Sequence, residues 1–356
     1  MKQQAMENIP SSYQKYTGRK IFIILLCALF VLVLSVYAIN AGSAGTTLKE
    51  VLTTLLNRSD NRLSIIVWNI RLPRILSAIV AGVGLSIAGC VMQSILRNPL
   101  ASPFTIGISQ GAAFGAAMAI IAFGAGSAQN SASESIIINN PYMVVIFAFL
   151  GAMSSTIVIL MLSSIFRVTP EAMILTGVAL SSLFSAATML LQYFADDVNV
   201  ASVVFWTFGD IGRASWRDLL IMTIIILAGF VYFMFNRWNY NALNSGEETA
   251  KGLGVDVERI RLIGMFIASL ISAVTVSFLG IIGFIGLAGP HIMRRLIGGD
   301  HRFLIPASGV IGGLLLLGSD TIGRTVIAPI VLPVGAITSL FGAPLFLYLL
   351  SRRLNR

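Results

Sequence analysis

Long apolar runs bounded by charged residues divide the chain. A bilayer core of about 30 Å takes about 20 apolar residues per helix. Runs of that length occupy 21–40, 75–96, 103–128, 141–166, 172–195, 219–236, 303–322 and 334–351. A further uncharged stretch, 262–293, is too long for one helix and is broken by Gly280, Gly283, Gly286, Gly289 and Pro290. It reads as two short, interrupted helices that turn back on each other. The pattern therefore predicts an all-α polytopic membrane protein of about ten transmembrane helices, with a tail over 1–20 and a single transmembrane domain over 21–356. The largest connecting segments, 41–70 and 237–261, are too short to be domains. Two Pro/Gly-broken stretches, 98–115 and 280–299, fall in opposite halves of the chain and hint at an internal repeat.

Composition agrees: 56% of residues are hydrophobic and only 11% charged, against about 25% charged in soluble domains. A soluble enzyme is excluded, because such a surface must face lipid. The net charge of +9 follows from topology rather than from nucleic-acid binding. With the N-terminus inside, sixteen of the 24 Lys and Arg fall in inner loops, as the positive-inside rule requires. Both termini are then cytoplasmic in a bacterial plasma membrane, and 21–40 is too long for a cleaved signal peptide. Cys27 and Cys90 sit in apolar stretches and read as packing residues. None of the five lysines is followed by Ser or Thr, so the chain lacks the phosphate loop of an ATPase. His291 and His301 have no neighbouring Cys or Glu and read as braces at helix ends rather than metal ligands. The spans hold no acid at mid-depth, which counts against ion coupling; Asp320, near the outer end of its span, stays ambiguous.

Four segments carry more. Arg71-Leu72-Pro73-Arg74, just outside the second span, reads either as a snorkelling anchor or as two guanidinium forks one turn apart, offered to a carboxylate. Arg324 lies on the same side. Asn98-Pro99-Leu100-Ala101-Ser102-Pro103 puts irregular backbone at a membrane boundary, which makes it a cavity wall or a tight turn. On the inner side Gly246 and Gly252 bracket a short helix with Glu247 and Glu248 in its first turn and Lys251 near its end, a docking element or a solvated loop. The stretch 192–218, with Tyr193, Phe194, Trp206 and Trp216, is an interfacial aromatic belt or a surface that touches cargo.

Taken together, RLPR at 71–74, NPLASP at 98–103, GEETAKGLGV at 246–255, GFIGLAGPH at 283–291, GDHR at 299–302 and GAP at 342–344 resemble the permease subunit of FecCD-like ABC importers for iron-siderophores, haem and cobalamin. The resemblance runs from about residue 60 to 353. It implies a type II ABC importer permease fold and two permease subunits, identical or paralogous, around a central pathway. It also implies two ATP-binding subunits that use ATP and Mg, and one extracytoplasmic substrate-binding protein. This chain itself would bind no cofactor and catalyse nothing. By resemblance, Arg71, Arg74 and Arg324 dock the binding protein. Ser245, Gly246, Glu247, Glu248, Ala250, Gly252, Leu253 and Gly254 couple to the ATPase. Asn98, Pro99 and Leu100 form the inner gate, together with the loop at Thr169, Pro170 and Glu171. At that loop cobalamin-type members carry small hydroxyl residues, so the cargo implied is an iron(III)-siderophore or related chelate, with haem or cobalamin as alternatives, moved by alternating access. An ion-coupled secondary transporter and an intramembrane enzyme are the rivals. The first needs a mid-membrane carboxylate, the second a nucleophile with its base or a metal cluster.

Overall fold

The computed structural model describes residues 2–41, 48–56, 61–125, 127–129, 136–138, 140–166 and 168–354. Helix α1 (Lys2–Asn40) is followed by the short α2 (Leu48–Leu56) and α3 (Arg62–Ile66), and a π-helical turn at Val67–Arg71 leads into α4 (Leu72–Ile95). After tight turns over 96–107 come α5 (Ile108–Ala117), extended by a second π-turn to Ala122, and a small antiparallel ribbon of β1 (Ser127–Gln129) and β2 (Ile136–Ile138). Then follow α6 (Pro141–Phe166), α7 (Pro170–Tyr193), α8 (Asp197–Thr207), α9 (Trp216–Phe235), α10 (Arg237–Asn244), α11 (Glu247–Gly252), α12 (Val257–Leu279), α13 (Ile285–Ile297), α14 (His301–Thr325) and α15 (Val334–Leu354).

Helix starts follow local chemistry. Thr169, with Pro170 in the first turn, caps α7, Asp256 caps α12 and Asp300 caps α14, each accepting a backbone N–H of the first turn. Ser215 and Asp218 form a reciprocal capping box at α9. Among the described residues seven helices are long and apolar enough to cross a membrane. Two shorter apolar helices, Ile108–Ala122 and Val334–Pro344, and the 13-residue α13 bring the number to the expected ten.

Several boundaries differ from expectation. The tail at 1–20 is not set apart, because α1 runs unbroken from Lys2. Lys20 instead pins it to α14, lying 4.2 Å from the Tyr16 ring of the same helix and 5.1 Å from that of Phe303. The third span begins at Ile108 rather than 103, since Gly107 enters it at φ +84. The stretch 262–293 yields one full-length helix and one half-span, not two short ones. Gly280 ends α12 at φ +79, where an added Cβ would meet the Trp206 carbonyl at 2.5 Å. The short apolar helix α8 and the β-ribbon were not foreseen.

In lipid no hydrophobic force drives helices together, so close backbone approach and polar contacts must hold the bundle. Helix α4 is its spine. A Cβ at Gly82 would overlap the Gly312 carbonyl of α14, and one at Gly89 the Gly286 carbonyl of α13. By contrast the apolar windows of α1 and α7 are almost entirely unburied and face outward.

Candidate functional site

Helices α4 and α14 run antiparallel, and a polar cluster closes each end of the pair. At the first, Arg74 Nη2 lies 2.8 Å from Asp320 Oδ1 and Arg324 Nε donates to Asp320 Oδ2 at 3.0 Å. Arg71 donates to the Ile39 carbonyl at 2.7 Å, and Arg324 to the carbonyls of Ala41 and Ala38. These carbonyls end α1, where the helix dipole favours cations. The three arginines singled out in the sequence are thus brought to one end of the pair, but Arg74 and Arg324 turn inward on a fully buried carboxylate and Arg71 on the end of α1. Asp320 is no free relay acid; it is an ion-pair partner with both oxygens occupied. Asp210, half exposed and 3.8 Å from Arg74, adds a second carboxylate at the rim.

At the other end a chain of hydrogen bonds ties α10 to α14 and α4. The Asp300 carboxylate can only accept, so the Asn241 Nδ2 group that meets it at 3.0 Å fixes the amide orientation. Asn241 Oδ1 then accepts from the His301 backbone N–H at 2.8 Å and faces His301 Nδ1 at 2.9 Å, which places the ring proton on Nδ1. Nε2 is left to accept from the Ser94 hydroxyl at 2.6 Å. Burial of Asp300 opposes its charge, but hydrogen bonds from Arg302 and Asn241 outweigh this and bring its pKa down to about 2. His301, fully buried, does brace a helix end as its sequence context implied. His301→Leu leaves Ser94 and Asn241 without their partner, and a loss of about 1–3 kcal/mol is expected in detergent unfolding. His301→Gln, which restores a donor and an acceptor, should recover part of it; equal stability of wild type and His301→Leu would refute the brace.

The loop after α10 turns on Gly246 at φ +121 and leaves α11 through Gly254 at φ +81. Glu247 anchors it, reaching Arg261 of α12 at 2.9 Å and Lys251 at 3.3 Å. Partial burial pushes the Glu247 carboxyl up, and the two cations more than compensate, holding it below the ordinary carboxylate range. Ala250 packs inward, whereas Ser245, Glu248, Gly252 and Gly254 lie on the surface and Leu253 is 69% exposed.

The turn at 98–100 stands between two concavities. Asn98 Oδ1 accepts the Leu100 N–H at 2.8 Å, which fixes the turn. Leu100 lines an apolar cavity of about 520 Å³ with Phe104, Phe208, Phe284 and Leu287. Pro99 lines a polar pocket of about 470 Å³ with Gln93, Arg97, Asn244 and Arg294. Thr169 and Pro170, expected beside the gate, are not brought to Leu100. They line a third, smaller pocket with Glu247, Glu258 and Arg261, because the short link before α7 packs against the start of α12. Sequence reasoning passed over Arg97, Phe284 and Arg294. Arg97 stood directly before Asn98-Pro99, and its charge at a broken backbone was the available signal. Among the described residues Arg97 (φ 47) and Phe284 (φ 64) are the only non-glycine residues with positive φ, and each lines one of the two large pockets.

Ten spans around a small-residue seam, a tethered helix exposed at one face and irregular backbone confined to pocket walls define a type II ABC importer permease fold. The chain belongs to the FecCD transport family, whose family model matches residues 28–352. It is 57% identical over 351 residues, 98% of this chain and 99% of the relative, to a Methanocaldococcus jannaschii protein named only as an ABC transporter permease, without a substrate. It is 35% identical to the hemin transport system permease protein HmuU of Yersinia pestis, covering 92% of this chain and 96% of that one. It is 36% identical to the Fe(3+)-citrate import system permease protein YfmE of Bacillus subtilis, covering 93% and 95%. A solved metal-chelate type ABC transporter in an inward-facing conformation matches with TM-score 0.78 at 30% identity, over 93% of this chain and 99% of that one.

Proposed function

We propose that this chain is the membrane subunit of an ATP-driven, binding-protein-dependent importer of an iron(III) chelate. The observation that carries the reading is the α11 loop. A helix of under two turns is unstable alone, yet here it is tethered by Glu247 to a spanning helix and presents a bare leucine to solvent. Such an element fits a groove on another protein, here each of two ATP-binding subunits that consume ATP and Mg. The distribution of Lys and Arg puts this loop and both termini in the cytoplasm.

At the opposite face Arg71, Arg74 and Arg324 outnumber the carboxylates of Asp320 and Asp210, leaving a positive field for the acidic lobes of an external substrate-binding protein. Between the faces, the cavity at Leu100 and a second permease subunit, identical or paralogous, enclose the path. Cargo passes by alternating access, with Asn98, Pro99 and Leu100 at the inner gate and Thr169, Pro170 and Glu171 carrying motion from the docking loop. Relatives named for hemin and for ferric citrate support an iron chelate, and the charged link at Thr169-Pro170-Glu171 favours it over cobalamin.

The test is purification from native membranes in mild detergent followed by vesicle uptake of ferric citrate, haem and cobalamin. An ATP-binding subunit that co-purifies, and uptake of an iron chelate that stops without ATP, are the expected results. A chain that purifies alone and transports without nucleotide overturns the reading.

A further inference from the structure

The polar pocket beside Pro99 is built for an anion that the structure does not itself supply. Its floor is Gln93, 3% exposed, with neither amide atom hydrogen-bonded. A buried amide with no partner is costly unless something fills the site. Arg97 and Arg294 line the same pocket, and neither forms an ion pair among the described residues. Glu171 is near enough to Arg97 to be felt electrostatically but makes no salt bridge with it. No carboxylate lines the pocket among the described residues, and its volume of about 470 Å³ falls in the range of small-ligand sites. Arg97 is moreover held at φ 47, a conformation an arginine adopts only where its surroundings impose it.

Position gives the ligand. Pro99 and Leu100 are consecutive residues of one turn, and they face the polar pocket and the apolar cavity respectively. Cargo that crosses the turn leaves aromatic and aliphatic walls for guanidinium and amide donors. We propose that the pocket formed by Gln93, Arg97 and Arg294 is a cytoplasmic exit site that captures the carboxylates of an anionic iron chelate as it passes the inner gate. The inference rests on the importer reading above and narrows its substrate class to chelates with free carboxylates, which match two guanidinium forks. A protein partner is the poorer fit, because the Gln93 amide lies at the floor of the concavity.

The experiment titrates the purified full-length chain in detergent with ferric citrate, with inorganic phosphate, with ATP and with a neutral ferric trihydroxamate. Ferric citrate should bind the wild type, and Arg294→Gln should weaken it about tenfold or more. Arg97→Gly, which relaxes the backbone and so protects folding, should do the same. Neutral chelate should be indifferent to both changes. Equal affinity in Arg294→Gln, no binding to the wild type, or phosphate and ATP binding as tightly as ferric citrate each overturns the site. Loss of binding when the ATP-binding subunit is added assigns the pocket to the subunit interface and overturns it as well. A wild-type complex that imports no iron chelate, while its permease still binds ferric citrate through Arg294, sinks the importer reading alone. Normal uptake without Arg294-dependent binding sinks the exit site alone.

Discussion

An Asp320→Ala variant is expected to lose about 3–5 kcal/mol of stability, the cost of breaking a buried ion pair by removing one member. Among the described residues its carboxylate is the only group that answers Arg74 and Arg324 at once. Without it two guanidiniums remain buried where lipid and helix backbone offer few acceptors. The check is the unfolding midpoint in detergent, compared with a triple variant, Arg74→Met, Asp320→Leu and Arg324→Met, that removes the whole cluster. Apolar replacement of a complete buried network is often neutral, so the triple variant should melt close to wild type. If Asp320→Ala alone does so, the cluster does not hold the α4–α14 end together. The same geometry governs any test of binding-protein docking. Glutamates at 74 and 324 would crowd three carboxylates into one buried site, so glutamine is the informative replacement.

Replacing Leu253 with aspartate should abolish ATP-driven uptake while leaving the chain folded. Leu253 is exposed, beside two glycines that meet nothing within 4 Å. Surface changes of that kind move stability by about 0.5 kcal/mol or less. A central apolar anchor of an interface, in contrast, commonly contributes about 2 kcal/mol or more, roughly a thirtyfold loss of partner affinity. The measurements are co-purification of the ATP-binding subunit and nucleotide-dependent uptake in vesicles. Undiminished uptake with Leu253→Asp would remove α11 from the coupling surface.

The spans were legible because lipid imposes one rule on every residue of a helix, so counting apolar runs located all ten. Their ends were less so. The start of the third span depends on Gly107 adopting φ +84, and the reach of α12 back to Val257 depends on a cap at Asp256, both local events inside otherwise charged or small-residue stretches. Pairing across the fold was invisible. Arg74 and Asp320 are 246 positions apart, and nothing in either segment announces the other. The short helix α11 was readable from its bracketing glycines and ordered charges, but its tether to Arg261 was not. Likewise Asn98-Pro99-Leu100 could be marked as irregular backbone, whereas the division of its two faces between an apolar and a basic concavity needed coordinates.

The glycine seam bears on how such a protein moves. Helices that meet backbone to backbone at Gly82 and Gly312, and at Gly89 and Gly286, have no intervening layer of side chains to shear. α4, α13 and α14 therefore turn as one rigid body. The hydrogen-bonded strut from Asn241 through His301 to Ser94 fastens α10 to that body, so a displacement of the loop after α10 swings the whole block and brings the Arg74–Asp320 end with it. The block is then a lever whose two ends are joined by glycine contacts, with the apolar cavity at Leu100 along its side.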